Sequence, residues 1–404
     1  MFLRGCSLVQ LTAFYFNSPI VLEVMKIDNL DYTITKASDS EFILSNRGAN
    51  YLVGEIVYIL LSGLKNKENT DSIIEKIKKN ENYKDITIND IQNLLDNQVY
   101  PLLNKETVDK KKNPVKSLLI IFRPKNNLVL KFFSRLFLPH FFWTSFLLLI
   151  CFSGYIIFQE GNVISSLSEL GYGWGITIAF TIFIILFHEI GHVIAAMRYG
   201  VTPKEVGFGV YFIYPAFYTD LSEIWKLNKR YRIIINLAGM YFQMLLNIIL
   251  FILMLYLPSQ KALWLSMLFS NMSIMFFNLN PLFKFDGYWV YSDYFEIHNL
   301  REQSNKIIYN AFKRIPIAKI ERKKRIPLII YTICYVLFMT FVWFYLSKYL
   351  YISAVDLYME YNTNKFSTIT DFETIKKIFV FVFILVIVIR IILGLTRSKT
   401  NKNK

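Results

Sequence analysis

One apolar run, WGITIAFTIFIILFHEIGHVIAA from Trp174 to Ala196, constrains the fold of this chain most strongly, because it is long enough to cross a membrane as a helix. Inside it lie His188, Glu189 and His192. Residues four apart share a helix face, so the two imidazoles point the same way. Ionisable groups at membrane depth are unfavourable and are usually found where they line a cavity and carry chemistry.

The His-Glu-x-x-His pattern is typical of zinc hydrolases. Two imidazoles one turn apart can hold Zn²⁺, and Glu189 is then placed to take a proton from the attacking water. The same short pattern also arises by chance in soluble helices. Here the apolar flanks leave no water-exposed face for it, which favours a metal site lining a cavity.

Composition favours a membrane protein. The chain of 404 residues is 54% hydrophobic and 19% charged, whereas soluble domains carry about 25% charged residues. Long apolar runs begin after Pro139, and the sequence predicts a multi-pass α-helical membrane protein with about six spans. The predicted spans are His140–Phe158, Trp174–Ala196, Ile233–Leu257, Ala262–Leu279, Pro327–Ser347 and Ile378–Leu395.

The basic residues behind the net charge of +15 are distributed according to the predicted spans. Lys and Arg cluster before the first span, between the second and third, between the fourth and fifth, and after the sixth. The intervening loops Gln159–Gly173 and Lys348–Lys377 are mixed or acidic. This asymmetry predicts a cell-membrane protein with both termini in the cytoplasm, and it explains the charge without a nucleic-acid partner. The abundance of Lys, Asn and Ile is typical of AT-rich bacterial genomes.

The three cysteines, Cys6, Cys151 and Cys334, have no paired spacing. We therefore expect neither a disulfide framework nor a cysteine metal site.

Residues 26–108, ahead of the spans, are predicted to form a small cytoplasmic α+β domain of winged-helix size. Periodicity and turn residues predict two strands followed by three helices. These elements are Tyr32–Thr35, Glu41–Ser45, Gly48–Leu61, Thr70–Lys79 and Thr87–Leu103.

The remaining segments complete the predicted domain plan. Residues 1–25 are either an extension upstream of a native start at Met25-Lys26, or an ordered strand or interfacial segment. Residues 109–139 form a basic linker and membrane entry, and residues 140–397 form the membrane domain. Within that domain Phe208–Tyr218 is too short to span, and we predict a re-entrant or membrane-edge hairpin, with a buried loop as the alternative.

A catalytic zinc site usually has three protein ligands. His140 opens a span and His298 lies in a cytoplasmic loop, so both are poor candidates for the third. Asp286 is better, because it follows the fourth span at the depth expected for the two motif histidines. Asn280-Pro281 breaks the helix before it, and Gly287 permits a sharp turn. The alternative is an ordinary carboxylate that caps a helix.

The spacing of these motifs resembles the site-2 protease family of intramembrane zinc metalloproteases (peptidase family M50). That family has HExxH within a span and an Asn-Pro…Asp-Gly segment at the end of a later one. Further stretches resemble its bacterial peptide-associated branch. They are Phe217–Asp220, Ser222, Trp225, Leu237–Gly239 and Gly287–Ile297.

The resemblance implies that His188, His192 and Asp286 are the zinc ligands, that Glu189 is the general base, and that Asn280 helps to orient the substrate. It covers roughly residues 174–300. The chain departs from the family pattern at three positions near the site, which are Met240, Gln243 and Lys284.

The N-terminal unit resembles PqqD-like domains, which recognise leader peptides. Ser45–Gly48 and Glu55–Gly63 carry this likeness, and a solely structural winged helix is the alternative. Together the resemblances imply a zinc endopeptidase that cuts a membrane-associated peptide or small membrane protein, in bacteriocin-like or other peptide maturation beside a possible peptide transporter. A non-catalytic zinc-binding sensor or immunity protein, or a peptide exporter, are the alternative functions. The chain has no G-x-x-x-x-G-K-[ST] sequence, which an exporter driven by nucleotide hydrolysis would carry.

Overall fold

The computed structural model describes twelve main stretches of the chain. They are residues 32–36, 42–46, 49–66, 68, 70–79, 83–84, 86–103, 115–125, 128–160, 174–211, 214–314 and 321–364, with isolated positions at 378, 381–382 and 385. The chain divides into two units, Met1–Leu300 and Arg301–Lys404. The predicted extension over residues 1–25 lies outside the described residues.

The N-terminal part of the first unit contains a three-stranded antiparallel sheet in the order β1-β2-β3. The predicted helix over Gly48–Leu61 is wrong in its first half, because β3 occupies residues 49–53 and the helix begins only after Gly54. The observed elements are β1 (Tyr32–Lys36), β2 (Phe42–Asn46), β3 (Ala49–Val53), α1 (Glu55–Lys65), α2 (Thr70–Lys78), α3 (Ile88–Leu94), a π-helical turn (Leu95–Val99) and α4 (Tyr100–Leu103).

The predicted start of the third helix at Thr87 has a clear local cause. The Thr87 hydroxyl accepts from the Asp90 amide at 3.2 Å, and the Asp90 carboxylate accepts from the Thr87 amide at 3.0 Å. This reciprocal pair satisfies amides that a helix start leaves without partners.

The two faces of this first sheet have different neighbours. Phe42 and Leu44 of β2 belong to the core that the sheet forms with its helices. Ile43, which lies between them and points to the other face, packs against Trp225. On the same face Asn50 donates from Nδ2 to the carbonyl of Ser222 at 3.0 Å. The outer face of the sheet therefore docks on the segment that precedes the third predicted span.

Five helices in the described part of the chain are long and apolar enough to cross a membrane. The first five predicted spans match these helices, with only Leu257 falling one residue past a helix end. Most of the sixth, Ile378–Leu395, lies outside the described residues, so the count of six stays a prediction. The helices are α6 (Pro139–Glu160), α7 (Trp174–Arg198), α8 (Lys229–Tyr256), α9 (Lys261–Leu279) and α12 (Arg322–Asn364).

Helix α8 is the central helix of the first unit. Its most apolar stretch is 67% buried inside the protein, against 22% for the corresponding stretches of α6 and α9. Helices α6, α7 and α9 all pack on it. The face of α6 turned away from α8 carries Leu147, Leu148 and Phe158, which are 62%, 69% and 83% exposed, as expected of side chains that meet lipid.

A second antiparallel sheet, in the order β4-β5-β6, flanks the helices. Its strands are β4 (Val115–Phe122), β5 (Val206–Tyr211) and β6 (Tyr214–Thr219). The segment Phe208–Tyr218 is thus a β-hairpin, and Pro215 lies on its edge strand, where a residue without an amide hydrogen is tolerated. Residues 109–139 are more than a linker, because β4 and a short helix, α5 (Leu128–Phe133), lie within them.

A short helix, α10 (Asp286–Tyr294), packs on α8 at the end of the first unit. Helix α11 (Leu300–Lys313) begins at the boundary between the units, and α12 follows it in the second unit. Helix α12 continues past Ser347, where the predicted span ends, because the sequence from Lys348 to Asn364 contains neither Gly nor Pro to stop it.

Candidate metal centre and active site

Three side chains meet where α7 and α10 approach each other. The Nε2 atoms of His188 and His192 lie 3.0 Å apart, and the Asp286 Oδ2 atom lies 2.9 Å and 3.5 Å from them. All three residues are buried, with relative exposures of 3%, 0% and 2%. In the described part of the chain this is the cluster of histidine and carboxylate groups able to hold a metal ion.

The arrangement fits a zinc ion. Ligand atoms about 2.0–2.1 Å from zinc in a tetrahedral site lie about 3.3–3.4 Å from one another, close to the distances between the three atoms here. The Asp286 Oδ2 atom is buried and, in the described part of the chain, has no hydrogen-bond donor aligned with it. A cation shared with the imidazoles would satisfy it. Zinc ligation of this kind needs three protein atoms and one open position.

Asp286 is a carboxylate in this environment. Burial acts to raise its pKa, but the imidazoles of His192 and His188 beside it lower the pKa by more, so the net shift is downward. An ionised oxygen is the form that coordinates a metal.

Two glycines allow α7 and α8 to approach closely at the site. A Cβ atom on Gly239 would lie 2.3 Å from the Cε1 atom of the His188 ring, and one on Gly191 would lie 2.5 Å from the carbonyl oxygen of Ala238. Both distances are too short for real contacts. Each helix therefore presents a glycine to the other, and the His188 ring lies in the space that a side chain at Gly239 would fill.

The second nitrogen of each histidine is hydrogen-bonded to α8. His192 Nδ1 lies 2.7 Å from the carbonyl oxygen of Ile235. A carbonyl only accepts, so Nδ1 carries the proton and Nε2 presents its lone pair to the metal position. His188 Nδ1 lies 2.9 Å from Gln243 Oε1. Such outer contacts fix the ring orientation and the tautomer of metal-binding histidines.

Gln243 is itself held by a chain of buried amides. Its Nε2 donates to Asn271 Oδ1 at 3.1 Å, and Asn271 Nδ2 donates to the Gln243 carbonyl at 2.8 Å and to Asn247 Oδ1 at 2.7 Å. This order of donors leaves Gln243 Oε1 as the acceptor that faces His188. The replacement of the family residue by Gln243 is thus compatible with a role in orienting a ligand.

Glu189 is buried beside the cluster, with an exposure of 1%. The hydroxyl of Thr219, the last residue of the edge strand β6, donates to Glu189 Oε2 at 2.7 Å. This contact ties the carboxylate to the hairpin, so the base candidate and the edge strand β6 lie side by side.

The other candidates lie apart from the cluster. Asn280 ends α9, and its Oδ1 accepts from the Leu282 amide at 2.9 Å, so its side chain shapes the Asn-Pro turn that leads to Asp286. His140 is exposed at the start of α6, and the His298 ring packs 5.7 Å from that of Trp225. The role of Asn280 toward a substrate stays a prediction.

A comparison with curated proteins adds an independent observation. The chain is 30% identical over 205 residues to the "Putative peptide zinc metalloprotease protein YydH" of Bacillus subtilis (strain 168), in an alignment that covers 48% of this chain and 77% of the relative. The chain belongs to this zinc metalloprotease family. No family model matches the chain, and no solved structure matches it.

Sequence reasoning missed several residues that shape the site of this metalloprotease. Thr219 and Trp225 lay within stretches that carried the family resemblance, but nothing local indicated that Thr219 contacts Glu189. Gln243 stood out only as a departure from the family pattern. The Ile235 carbonyl has no sequence signal at all, because any residue supplies a carbonyl.

Proposed function

We propose that this protein is an intramembrane zinc endopeptidase of the site-2 protease type that hydrolyses a membrane-associated peptide or small membrane protein. One observation carries the proposal. The apolar helix α7 and the start of α10 bring His188, His192 and Asp286 together in the protein interior, and Glu189 lies beside the cluster. This is the constellation that metal-assisted peptide hydrolysis requires.

The roles of the residues follow from their contacts. His188, His192 and Asp286 would hold the ion, which when bound supplies Lewis acidity and lowers the pKa of water. Glu189 takes a proton from the attacking water, whose oxygen bonds to the scissile carbonyl carbon. The C–N bond then breaks, and Glu189 delivers the proton to the leaving amine. Thr219 holds the Glu189 side chain in place through its hydrogen bond to Oε2.

A substrate must be extended at the cut, because a helix hides its carbonyls in its own hydrogen bonds. The edge strand β6 ends at Thr219, next to Glu189. Added-strand pairing along β6 would bring an unwound peptide to the site. The test of the proposed function is whether membranes that carry the wild type cut a membrane-associated peptide that membranes with Glu189→Gln leave intact.

Peptide maturation beside a transporter is the setting that we propose for this reaction. It rests on the resemblance of the N-terminal unit to leader-binding domains. The B. subtilis relative is named as a peptide zinc metalloprotease, which agrees with such a substrate class.

The distribution of Lys and Arg predicts the orientation of the protein in the membrane. A reporter fused after Lys404 should behave as cytoplasmic, and one inserted near Asn362 as external, because positively charged loops stay on the cytoplasmic side. Paired alkaline phosphatase and fluorescent protein fusions at both positions measure this. The reverse pattern would contradict the proposed orientation.

The N-terminal sheet is proposed to capture the substrate. Deleting residues through Lys112 should weaken co-purification of a precursor peptide with the Glu189→Gln protein, because an added-strand contact would be lost. Zinc content should persist. The deletion also uncovers Trp225, so Ile43→Ala, which trims only the docking contact, is the matched control. Cleavage at the normal rate by the truncated protein would show that the domain has a structural role only.

A further inference from the structure

A buried charge network lies on α8 and α10, away from the three clustered ligands. Arg232 Nε donates to Asp293 Oδ1 at 2.9 Å, and Asn236 Nδ2 donates to Asp293 Oδ2 at 2.8 Å. Arg232 and Asn236 are fully buried and Asp293 is 1% exposed. Arg232 also donates to the Leu227 carbonyl at 3.1 Å, and its guanidinium lies 5.2 Å from the centre of the Trp225 ring.

Stability alone does not account for this network. Removing a charge pair from water is so unfavourable that well-packed apolar residues are often equally stable in its place, whereas loss of one partner is strongly destabilising. A carboxylate hydrogen-bonded to two donors can instead orient two helices relative to each other. Two oxygens of one carboxylate, each bound to its own donor, fix how one helix lies along another.

The network and the metal cluster are linked through one face of α10. Asp293 and Asp286 are seven residues apart on α10, so they lie on the same helix face about 10.5 Å apart along the axis. A slip of α10 by one residue would shift Asp286 by about 1.5 Å and turn it by about 100°. Such a slip would carry its Oδ2 atom away from the imidazoles, which now lie 2.9 Å and 3.5 Å distant.

The turn of α8 that carries Arg232 and Asn236 also contacts His192. Ile235, which lies between Arg232 and Asn236, accepts from His192 Nδ1 through its carbonyl. One turn of α8 therefore contacts both α7, which carries two ligand candidates, and α10, which carries the third.

We propose that Arg232, Asn236 and Asp293 form a register clamp, a set of positioning residues that holds Asp286 at the metal position. This proposal rests on the proposed zinc site. It adds that residues which do not touch the ion set the positions of the ligands relative to one another. Trp225 joins the clamp to the docked N-terminal sheet, because both Ile43 and Arg232 pack against its ring.

The test measures metal binding. Asp293→Asn keeps the volume and removes the charge, and it should weaken zinc affinity by about 10–100-fold, the usual effect of losing a supporting contact of a metal site. At equal Co²⁺ loading its absorption spectrum should also change, because the spectrum reports ligand geometry. The combined Arg232→Met, Asp293→Leu protein should regain thermal stability but keep the weakened affinity.

A control variant and a second clamp variant make the result decisive. Arg301→Met removes an arginine whose guanidinium lies 3.9 Å from the centre of the Tyr335 ring in the second unit, and it should leave zinc affinity unchanged. If Asp293→Asn does not fold, Asn236→Ala, which retains the ion pair, replaces it in the test. A severalfold loss of zinc affinity in Asn236→Ala would support the clamp, and no loss would contradict it. Unchanged affinity, or full recovery of affinity in the combined variant, would overturn the clamp. Absence of zinc binding in the wild type would instead overturn the proposed function.

Discussion

Replacing Glu189 with Gln should lower the rate of peptide cleavage by about 10²–10⁴-fold, the usual contribution of a general base. Gln preserves the volume and can still accept from Thr219, but it cannot take a proton from water. Zinc content should hardly change, because His188, His192 and Asp286 remain. Substrate should still bind and accumulate uncut. The measurement is product formation from a membrane-associated peptide at matched expression and zinc loading.

A matched control comes from the other end of the bundle. Glu160 forms an ion pair with Lys261 at 3.0 Å, at the start of the helix whose opposite end, Leu279, leads to Asp286. Glu160→Gln removes a carboxylate charge at the end of α6, beside the start of α9 and far from Asp286, and should leave turnover near that of the wild type. Equal activity of wild type and Glu189→Gln would end the protease interpretation and favour a zinc-binding sensor, whose output needs only the ligand geometry.

Loss of either His192 or Asp286 should abolish zinc binding. The purified wild type should carry about one zinc per chain, because three protein atoms converge on one position. In His192→Ala or Asp286→Ala two ligands remain, which is too few for a stable site. Dialysis followed by elemental analysis should find most of the zinc gone and, with it, cleavage activity.

His140→Ala is the control for this experiment. His140 is exposed at the start of α6 and lies outside the cluster, so its loss should leave zinc content intact. Full retention of metal by both His192→Ala and Asp286→Ala would exclude the three-residue site, even if activity were lost for another reason.

The spans and the histidine motif could be predicted because their signals are local. An apolar run of sufficient length specifies a helix, and HExxH places two imidazoles on one face whatever surrounds them. Asp286 was accessible through the Asn-Pro…Asp-Gly segment and the depth of the preceding span. The structure brings all three residues together.

The contacts between elements could not be predicted in the same way. The sequence predicts a helix over β3 because Ala49–Val53 continues the apolar spacing of α1, and only its pairing with β2 makes it a strand. β4 lay in the predicted linker, and its partner β5 is far along the chain. Pairings between distant segments depend on tertiary context, which overrides local propensity.

The fit of Gly239 against His188 bears on how active and inactive relatives can be told apart. A methyl group at this position would already occupy the space of the imidazole. A relative that retains the HExxH letters but carries a larger residue here would have to move the first histidine out of the arrangement seen in this protein. In surveys of such chains, a glycine on the neighbouring helix is therefore a check on competence that the motif by itself cannot provide.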